Sequence, residues 1–168
     1  MPDGQVLEFA GLTKRFGTIS AVADLTCSIQ PGRITAFLGP NGAGKTTTMR
    51  ILTGFFPPTS GTATVNGVDV CEEPMKVREM VGYLPEHVPL YKDMTTREFL
   101  NFAASAKRLK GNERKQAVER TIERCNLASV ADQLIDTLSR GFRQRVGLGQ
   151  AIINNPKVLI LDEPTVGL

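Results

Sequence analysis

A glycine-rich segment with one lysine and two threonines is the part of the sequence best suited to chemistry. Residues 39–46 match the pattern G-x-x-x-x-G-K-[ST] in full. Glycines let the backbone curl so that successive N–H groups face phosphate oxygens, and a following helix adds the positive end of its dipole. We therefore predict a loop that binds the phosphates of a nucleoside triphosphate. The predicted loop residues are Gly39, Pro40, Asn41, Gly42, Ala43, Gly44, Lys45, Thr46 and Thr47.

Two acidic residues directly follow an apolar run, 158–161, near the other end of the chain. If this run is a buried strand, Asp162 lies at a sheet edge, where its carboxylate can hold a magnesium ion. Glu163 can then orient and deprotonate an attacking water. In the loop, Lys45 would reach the β- and γ-phosphates and the Thr46 hydroxyl would bind magnesium. Apolar strands that end in acids are common, so without the loop a purely structural strand is an equal alternative.

Apolar periodicity and turn signals predict the elements that position these residues. Strand-like segments flank the loop and recur along the chain, and Asn66-Gly67 predicts a tight hairpin. The middle is helical: a capping box opens a helix at Thr95, and Gly111 is expected to end it. Asn112 and Ser139 are expected to cap the next two helices. The other predicted elements are strands at 6–12, 25–29, 33–38, 81–84 and 158–161 and a helix at about 44–52.

Length and composition indicate one domain with a core. The chain has 168 residues, of which 41% are apolar and 22% charged, and its net charge of +3 does not favour nucleic acid binding. Cys27, Cys71 and Cys125 are far apart, so we expect buried thiols and neither a disulfide framework nor a metal site. No apolar run approaches the roughly 20 residues of a membrane-spanning helix, and the N-terminus does not resemble a signal peptide.

Residues 138–145 read Leu-Ser-Arg-Gly-Phe-Arg-Gln-Arg and resemble the signature of the ATP-binding cassette (ABC) ATPases, usually Leu-Ser-Gly-Gly-Gln. Ser139 and the Gly141 amide would cap a helix N-terminus, which attracts anions. Taken alone, the segment is more typical of an amphipathic helix with a serine cap. In the family this site reaches the γ-phosphate bound by the other subunit. The resemblance therefore implies that role for Ser139, Arg140 and Gly141.

Three further segments support the same resemblance. Residues 14–17 resemble the A-loop, whose aromatic ring stacks on adenine, and this implies stacking by Phe16; a loop aromatic packed on the core is the alternative. Residues 81–86 resemble the Q-loop, which carries a metal-contacting residue and faces the permease. Glu86 stands where the family usually has Gln, and its oxygens can still bind magnesium. Residues 158–163 resemble the Walker B strand.

The ordered set of segments resembles ATP-binding subunits of ABC transporters over nearly the whole chain. The residues at 83–87 and 138–145 are most similar to those of the gliding-motility and related export subgroup. The resemblance implies an α/β fold, a P-loop NTPase with a RecA-like ABC ATPase core, an N-terminal antiparallel β segment and a helical subdomain. The implied single domain covers 1–168, with the core and β subdomain at 1–85 and 155–168 and the helical and signature subdomain at 86–154.

The resemblance also implies a function. The chain would be an ATPase that uses ATP and Mg²⁺, pairs with a second ABC ATPase and energises a separate membrane permease. Glu163 would be the catalytic residue, and Thr46, Glu86 and Asp162 would contact the metal. The expected location is cytoplasmic, on the inner face of the membrane through the permease, with no nucleic acid partner.

Two alternatives stay open. The family pattern continues past Leu168 with an Asp and a switch histidine, so we expect a chain that is C-terminally incomplete after the Walker B segment. The first alternative is therefore a truncated nucleotide-binding fragment with no ATPase activity of its own. A weaker alternative is a non-transport ABC protein that acts on DNA or the ribosome.

Overall fold

The fold begins with a long hairpin, and apolar side chains recur along one face of its first strand. In the computed structural model, which describes residues 6–163, β1 (Leu7–Phe16) pairs antiparallel with β2 (Ile19–Ile29). Phe9 and Leu12 of β1 are buried. Both strands are longer than predicted, because their pairing continues to the turn that joins them.

A second hairpin confirms the turn predicted at Asn66-Gly67. Strands β3 (Ser60–Val65) and β4 (Val68–Asp69) flank the two residues, which both have positive φ. Such φ values suit the type I′ turn that joins strands of right-handed twist. The sheet order is β2-β1-β3-β4. Helix α1 (Lys45–Leu52) packs on this sheet, and its residues Ile51 and Leu52 are buried.

The strand predicted at 33–38 is wrong. The structure gives this segment no regular element, and Ile34 and Leu38 are 104% and 89% exposed. β-branched and aromatic residues favour a strand only where a neighbouring strand accepts and donates the backbone hydrogen bonds. Within residues 6–163, no strand pairs with this segment. The composition of residues 33–38 therefore predicted a strand that does not form without a partner strand.

The chain divides into two compact units, the first ending at Met80 and the second beginning at Val81. The first unit closes with α2 (Pro74–Met80). The second contains a parallel pair, β5 (Val81–Leu84) and β6 (Val158–Leu161), in which Val81 lies opposite Val158. The finer division into a core and a helical subdomain stays a prediction.

Three helices form the core of the second unit. They are α3 (Thr96–Ala106), α4 (Gly111–Arg124) and α5 (Arg140–Ile152). Leu100 and Val146 are fully buried between them. The buried residues of this core also include Phe99, Ala104, Val118, Ile122, Cys125, Leu127, Val130 and Ile135.

The boundaries between α3 and α4 correct two predictions. Helix α3 ends before Gly111, because Arg108 adopts a left-handed φ of 65° that a helix cannot continue. Gly111 is instead the first residue of α4, and Lys110 rather than Asn112 occupies its N-cap. Gly111 therefore lies at the junction between the two helices, as predicted, but it begins α4 and does not end α3.

The cysteines correct a further prediction, since only Cys125 of the three is buried. Cys27 and Cys71 are exposed. Cys27 lies on β2, an edge strand of the sheet, and Cys71 lies in the turn after β4. Burial raises the pKa of the Cys125 thiol. The general tendency of cysteine to be buried does not hold at an edge strand or a surface turn.

Replacing Thr95 by alanine should lower stability, because Thr95 forms the predicted capping box. Its hydroxyl accepts a hydrogen bond from the Glu98 N–H at 3.2 Å. Loss of such a cap costs about 1 kcal/mol, which for a chain of this size lowers Tm by about 2–4 °C. Thermal unfolding of Thr95→Ala measures the change. Ser105→Ala, an exposed position in the last turn of α3, is the control and should shift Tm much less.

The stability that the same capping box contributes should depend on pH, because the Glu98 carboxylate takes part in it. The backbone N–H of Thr95 donates to the Glu98 carboxylate, and this bond lowers the pKa of Glu98 from its usual value. The carboxylate therefore stabilises the folded state above its unfolded-state pKa, and this contribution is lost as the pH falls through the folded-state pKa. An equal Tm for Thr95→Ala and the wild type at neutral pH would contradict the cap.

Candidate functional site

The predicted phosphate loop is an exposed, curled segment that ends where α1 begins. The Ala43 N–H donates to the Pro40 carbonyl at 3.2 Å, which closes a turn inside the loop. Gly42 and Gly44 have φ values of 82° and 84°. Only glycine adopts such values without strain, so these two positions give the loop its curl. The structure thus supplies a helix N-terminus preceded by a tight backbone turn, an arrangement that suits phosphate.

Gly44 is required by a neighbouring strand as well as by its own φ. A Cβ at this position would lie 2.1 Å from the Ala21 carbonyl oxygen on β2. Real Cβ atoms essentially never approach a heavy atom that closely, and a backbone oxygen cannot swing away. The loop is therefore anchored directly on the N-terminal sheet. Sequence reasoning missed this role of Ala21, because no local pattern reports contact with a residue so distant in the chain.

Lys45 holds the loop closed from the first position of α1. Its ammonium donates to the carbonyl oxygens of Gly39 at 2.7 Å and Pro40 at 2.9 Å. Neither acceptor carries a charge, and among residues 6–163 no carboxylate pairs with this ammonium. The positive charge is therefore uncompensated, and the first turn of α1 contains no acidic residue. An anion at the loop would meet both this charge and the helix dipole.

Three threonines follow Lys45 on α1. Thr46 and Thr47 are partly buried, and Thr48 is buried. The Thr48 hydroxyl donates to the Gly44 carbonyl at 3.0 Å and so secures the end of the loop. Within residues 6–163, the Thr46 hydroxyl has no hydrogen-bond partner, which leaves it available to a metal ion. Phe16, the predicted stacking residue, lies at the end of β1 and is 45% exposed.

Asp162 and Glu163 follow β6 in the second unit. The Asp162 N–H donates to the Leu84 carbonyl at 2.9 Å and continues the pairing of β5 with β6. The side chain of Asp162 is 4% exposed, and its Oδ2 atom has no hydrogen-bond partner within residues 6–163. Buried carboxylate oxygens normally have a cation or a donor. This oxygen therefore fits a magnesium ligand. Glu163 is exposed.

The signature segment caps α5 as predicted. The Ser139 hydroxyl accepts from the Phe142 N–H at 3.3 Å. The first turn of α5 contains no acidic residue, and Arg140 is exposed at its start. Arginine is disfavoured at a helix N-terminus because the dipole is positive there. The arrangement therefore concentrates positive charge at the position that the resemblance assigns to phosphate.

A short irregular ladder fixes the approach to Ser139. The Ile135 N–H donates to the Met94 carbonyl at 3.0 Å, and the Asp136 N–H donates to the Lys92 carbonyl at 3.2 Å. The Lys92 ammonium also pairs with the Asp136 carboxylate at 3.2 Å. The segment that leads into the signature is thereby tied to the segment that precedes α3.

Glu86 lies in an exposed bend after β5, and its carboxylate is 3.9 Å from the Nδ1 atom of His87. The described part of the chain contains no cluster of three metal-ligating side chains. Of the predicted metal contacts, Glu86 and Asp162 belong to the second unit and Thr46 to the first. The joint role of these three residues stays a prediction.

A family model described as ABC transporter matches residues 22–166, which is most of the chain. The chain therefore belongs to the ABC transporter family. Its relatives include the Escherichia coli (strain K12) protein named Probable multidrug ABC transporter ATP-binding protein YbhF, with 42% identity over 97% of this chain and 28% of that protein. The rat Phospholipid-transporting ATPase ABCA3 is 40% identical over 88% of this chain and 9% of that protein. The chain thus spans less than a third of these relatives.

Solved structures give the same result. One described as an ATP binding subunit of an ABC transporter matches with a TM-score of 0.87 and 29% identity, over 97% of this chain and 68% of that chain. The second, cbiO1 from Clostridium perfringens, is described as part of the ABC transporter complex cbiONQ. It matches with a TM-score of 0.86 and 28% identity, over 98% and 68%.

These matches confirm the predicted α/β ABC ATPase fold and the family resemblance. They do not support the gliding-motility subgroup, since the relatives carry multidrug and A-family names. Proteins of this family bind ATP, and one of the matching structures, cbiO1, is described as part of an ABC transporter complex. None of the helices in residues 6–163 combines the length and the apolar character that a membrane span needs.

Proposed function

We propose that the chain is the ATP-binding and hydrolysing part of an ABC transporter and that it energises a separate membrane permease. The observation that carries this proposal is the curled loop at the start of α1, with the Lys45 ammonium held on the carbonyls of Gly39 and Pro40. Arriving phosphate would exchange these two neutral acceptors for charged ones. Charge-assisted hydrogen bonds are stronger than neutral ones, so this exchange favours ATP binding.

The proposed chemistry divides among four side chains. Lys45 contacts the β- and γ-phosphates, while Thr46 and Asp162 hold the magnesium ion, which when bound offsets phosphate charge. Glu163 accepts a proton from water as that water attacks the γ-phosphorus. The new P–O bond forms as the bond to the bridging oxygen breaks, which yields ADP and inorganic phosphate.

The remaining residues serve partners in this proposal. Ser139, Arg140 and Gly141 would contact the nucleotide bound by a second ABC ATPase, because α5 presents its N-terminus and an arginine there. Glu86 would contact both metal and permease from its exposed bend. The chain would then lie on the cytoplasmic face of the membrane through the permease. A fragment that binds nucleotide without hydrolysis is not better supported by the relatives.

The nature of the transported compound is proposed from the relatives alone. The names of two of them refer to multidrug and phospholipid transport. Both names favour amphipathic compounds as the transported class. In such systems the permease largely determines the substrate.

Substitution of Lys45 in the assembled transporter tests the proposal. With the intact protein and its permease in lipid vesicles, Lys45→Ala should reduce ATP hydrolysis by about a hundredfold, since one charged donor to the reacting phosphates is lost. Substrate transport should fall with it. Lys76→Ala is the matched control, because Lys76 is an exposed lysine of α2 that pairs with Glu73 at 3.2 Å. Unchanged hydrolysis in Lys45→Ala would contradict the proposal.

A further inference from the structure

The segment that follows α1 is fastened along the end of β1. The Thr59 N–H donates to the Thr13 carbonyl at 2.8 Å, and the Arg15 N–H donates to the Thr59 hydroxyl at 3.0 Å. The Lys14 ammonium donates to the Pro57 carbonyl at 2.6 Å. Three hydrogen bonds therefore fix this segment beside the strand end that carries Phe16.

These bonds place a second aromatic ring beside the predicted stacking residue. The rings of Phe16 and Phe56 meet edge to face, with centroids 5.5 Å apart and planes at 76°. The Lys14 ammonium lies over the Phe16 ring at 5.1 Å from its centroid and is 5.6 Å from the centroid of Phe56. Phe55 stacks edge to face on Phe56 at 4.9 Å and is 65% exposed.

This geometry restricts the Phe16 ring in two ways. The edge-to-face contact with Phe56 opposes its rotation, and the ammonium of Lys14 covers one of its faces. The face that the ammonium covers is then closed to a planar ligand. A ring that is already fixed loses less conformational freedom when a ligand stacks on it, and this raises affinity.

We propose that Phe56 and Lys14 are positioning residues that hold the Phe16 ring for one-sided stacking on the nucleobase. The inference rests on the proposed function, because it takes Phe16 as the residue that stacks on adenine. Phe56 acts through Phe16 and touches no phosphate group. Its contribution should therefore appear with ligands that carry a base and disappear with ligands that do not.

A double-mutant cycle on ligand affinity tests this directly in the intact protein. The probes are Mg·ATP and inorganic tripolyphosphate, which has the phosphates without the base. Phe56→Leu should weaken ATP binding about three- to tenfold, the range of an aromatic pair contact, and leave tripolyphosphate binding unchanged. In a Phe16→Ala background, Phe56→Leu should cause no further loss, because the ring that it positions is gone.

Two further variants sharpen the result. Phe56→Tyr keeps a ring at the same position and should retain the wild-type affinity for ATP. Phe102→Leu removes an exposed ring of α3, whose ring contact is with Tyr91, and should leave both affinities unchanged.

Three outcomes would overturn the inference while leaving the proposed function intact. They are an equal loss of tripolyphosphate binding in Phe56→Leu, an additive loss in the Phe16→Ala background, and an unchanged affinity for ATP in Phe56→Leu. If the wild-type protein binds neither ATP nor tripolyphosphate, the proposed function fails and the inference fails with it.

Discussion

Glu163→Gln should reduce ATP hydrolysis by about a hundredfold or more, the usual contribution of a general base, while ATP still binds. Glutamine has the size of glutamate but cannot accept the proton of the attacking water. Glu163 is exposed directly after Asp162, at the end of β6, so the substitution removes no packing. The loss should therefore appear in kcat, with the dissociation constant for ATP nearly unchanged.

Steady-state hydrolysis and equilibrium binding, measured on the same preparation, separate these two quantities. Glu123→Gln is a suitable control, because Glu123 is an exposed glutamate on α4. Its hydrolysis rate should equal that of the wild type. Normal turnover in Glu163→Gln would remove Glu163 from the mechanism, and loss of ATP binding would assign it a binding role instead.

Gly44→Ala should abolish most ATP binding, because the new methyl group has no room. Its carbon would lie 2.1 Å from the Ala21 carbonyl oxygen, so either β2 or the phosphate loop must shift. The backbone φ of 84° adds strain for any L-residue. A displaced loop no longer aims its N–H groups at the phosphates, so the contacts that bind ATP are lost. Calorimetric titration with Mg·ATP measures the loss.

Gly32→Ala provides the matched control for this experiment. Gly32 has a similar φ of 72°, but nothing lies within 4 Å of the position that its Cβ would occupy. The substitution should cost stability through backbone strain alone, by about 1 kcal/mol, and leave ATP affinity unchanged. If Gly44→Ala binds ATP as well as Gly32→Ala does, contact with β2 does not shape the loop.

Features of the fold that depend on neighbouring residues in the chain were predictable from the sequence. The Asn66-Gly67 turn and the caps at Thr95 and Ser139 are examples, because the groups that bond there lie within four residues of one another. The strand predicted at 33–38 depended on a partner strand, and the burial of Cys27 depended on which strand forms the sheet edge. Local composition does not show which strands pair or which strand lies at the edge of the sheet.

In the candidate site, too, local features were predictable and contacts between distant residues were not. The glycines and Lys45 of the phosphate loop form a continuous pattern, and the structure gives them the curl that the pattern predicts. The contact of Gly44 with Ala21 and that of Phe16 with Phe56 join residues far apart in the chain. A single sequence carries no sign of either contact. These supporting residues therefore became visible only in the structure.

Titration of the intact protein with ATP in the presence of magnesium tests the central proposal most directly. The loop at residues 39–47 predicts saturable binding that inorganic tripolyphosphate displaces, because the phosphates make the main contacts. Removal of magnesium by a chelator should weaken the binding. Absence of ATP binding, or ATP binding that tripolyphosphate does not displace, would contradict the assignment of this loop to a nucleoside triphosphate.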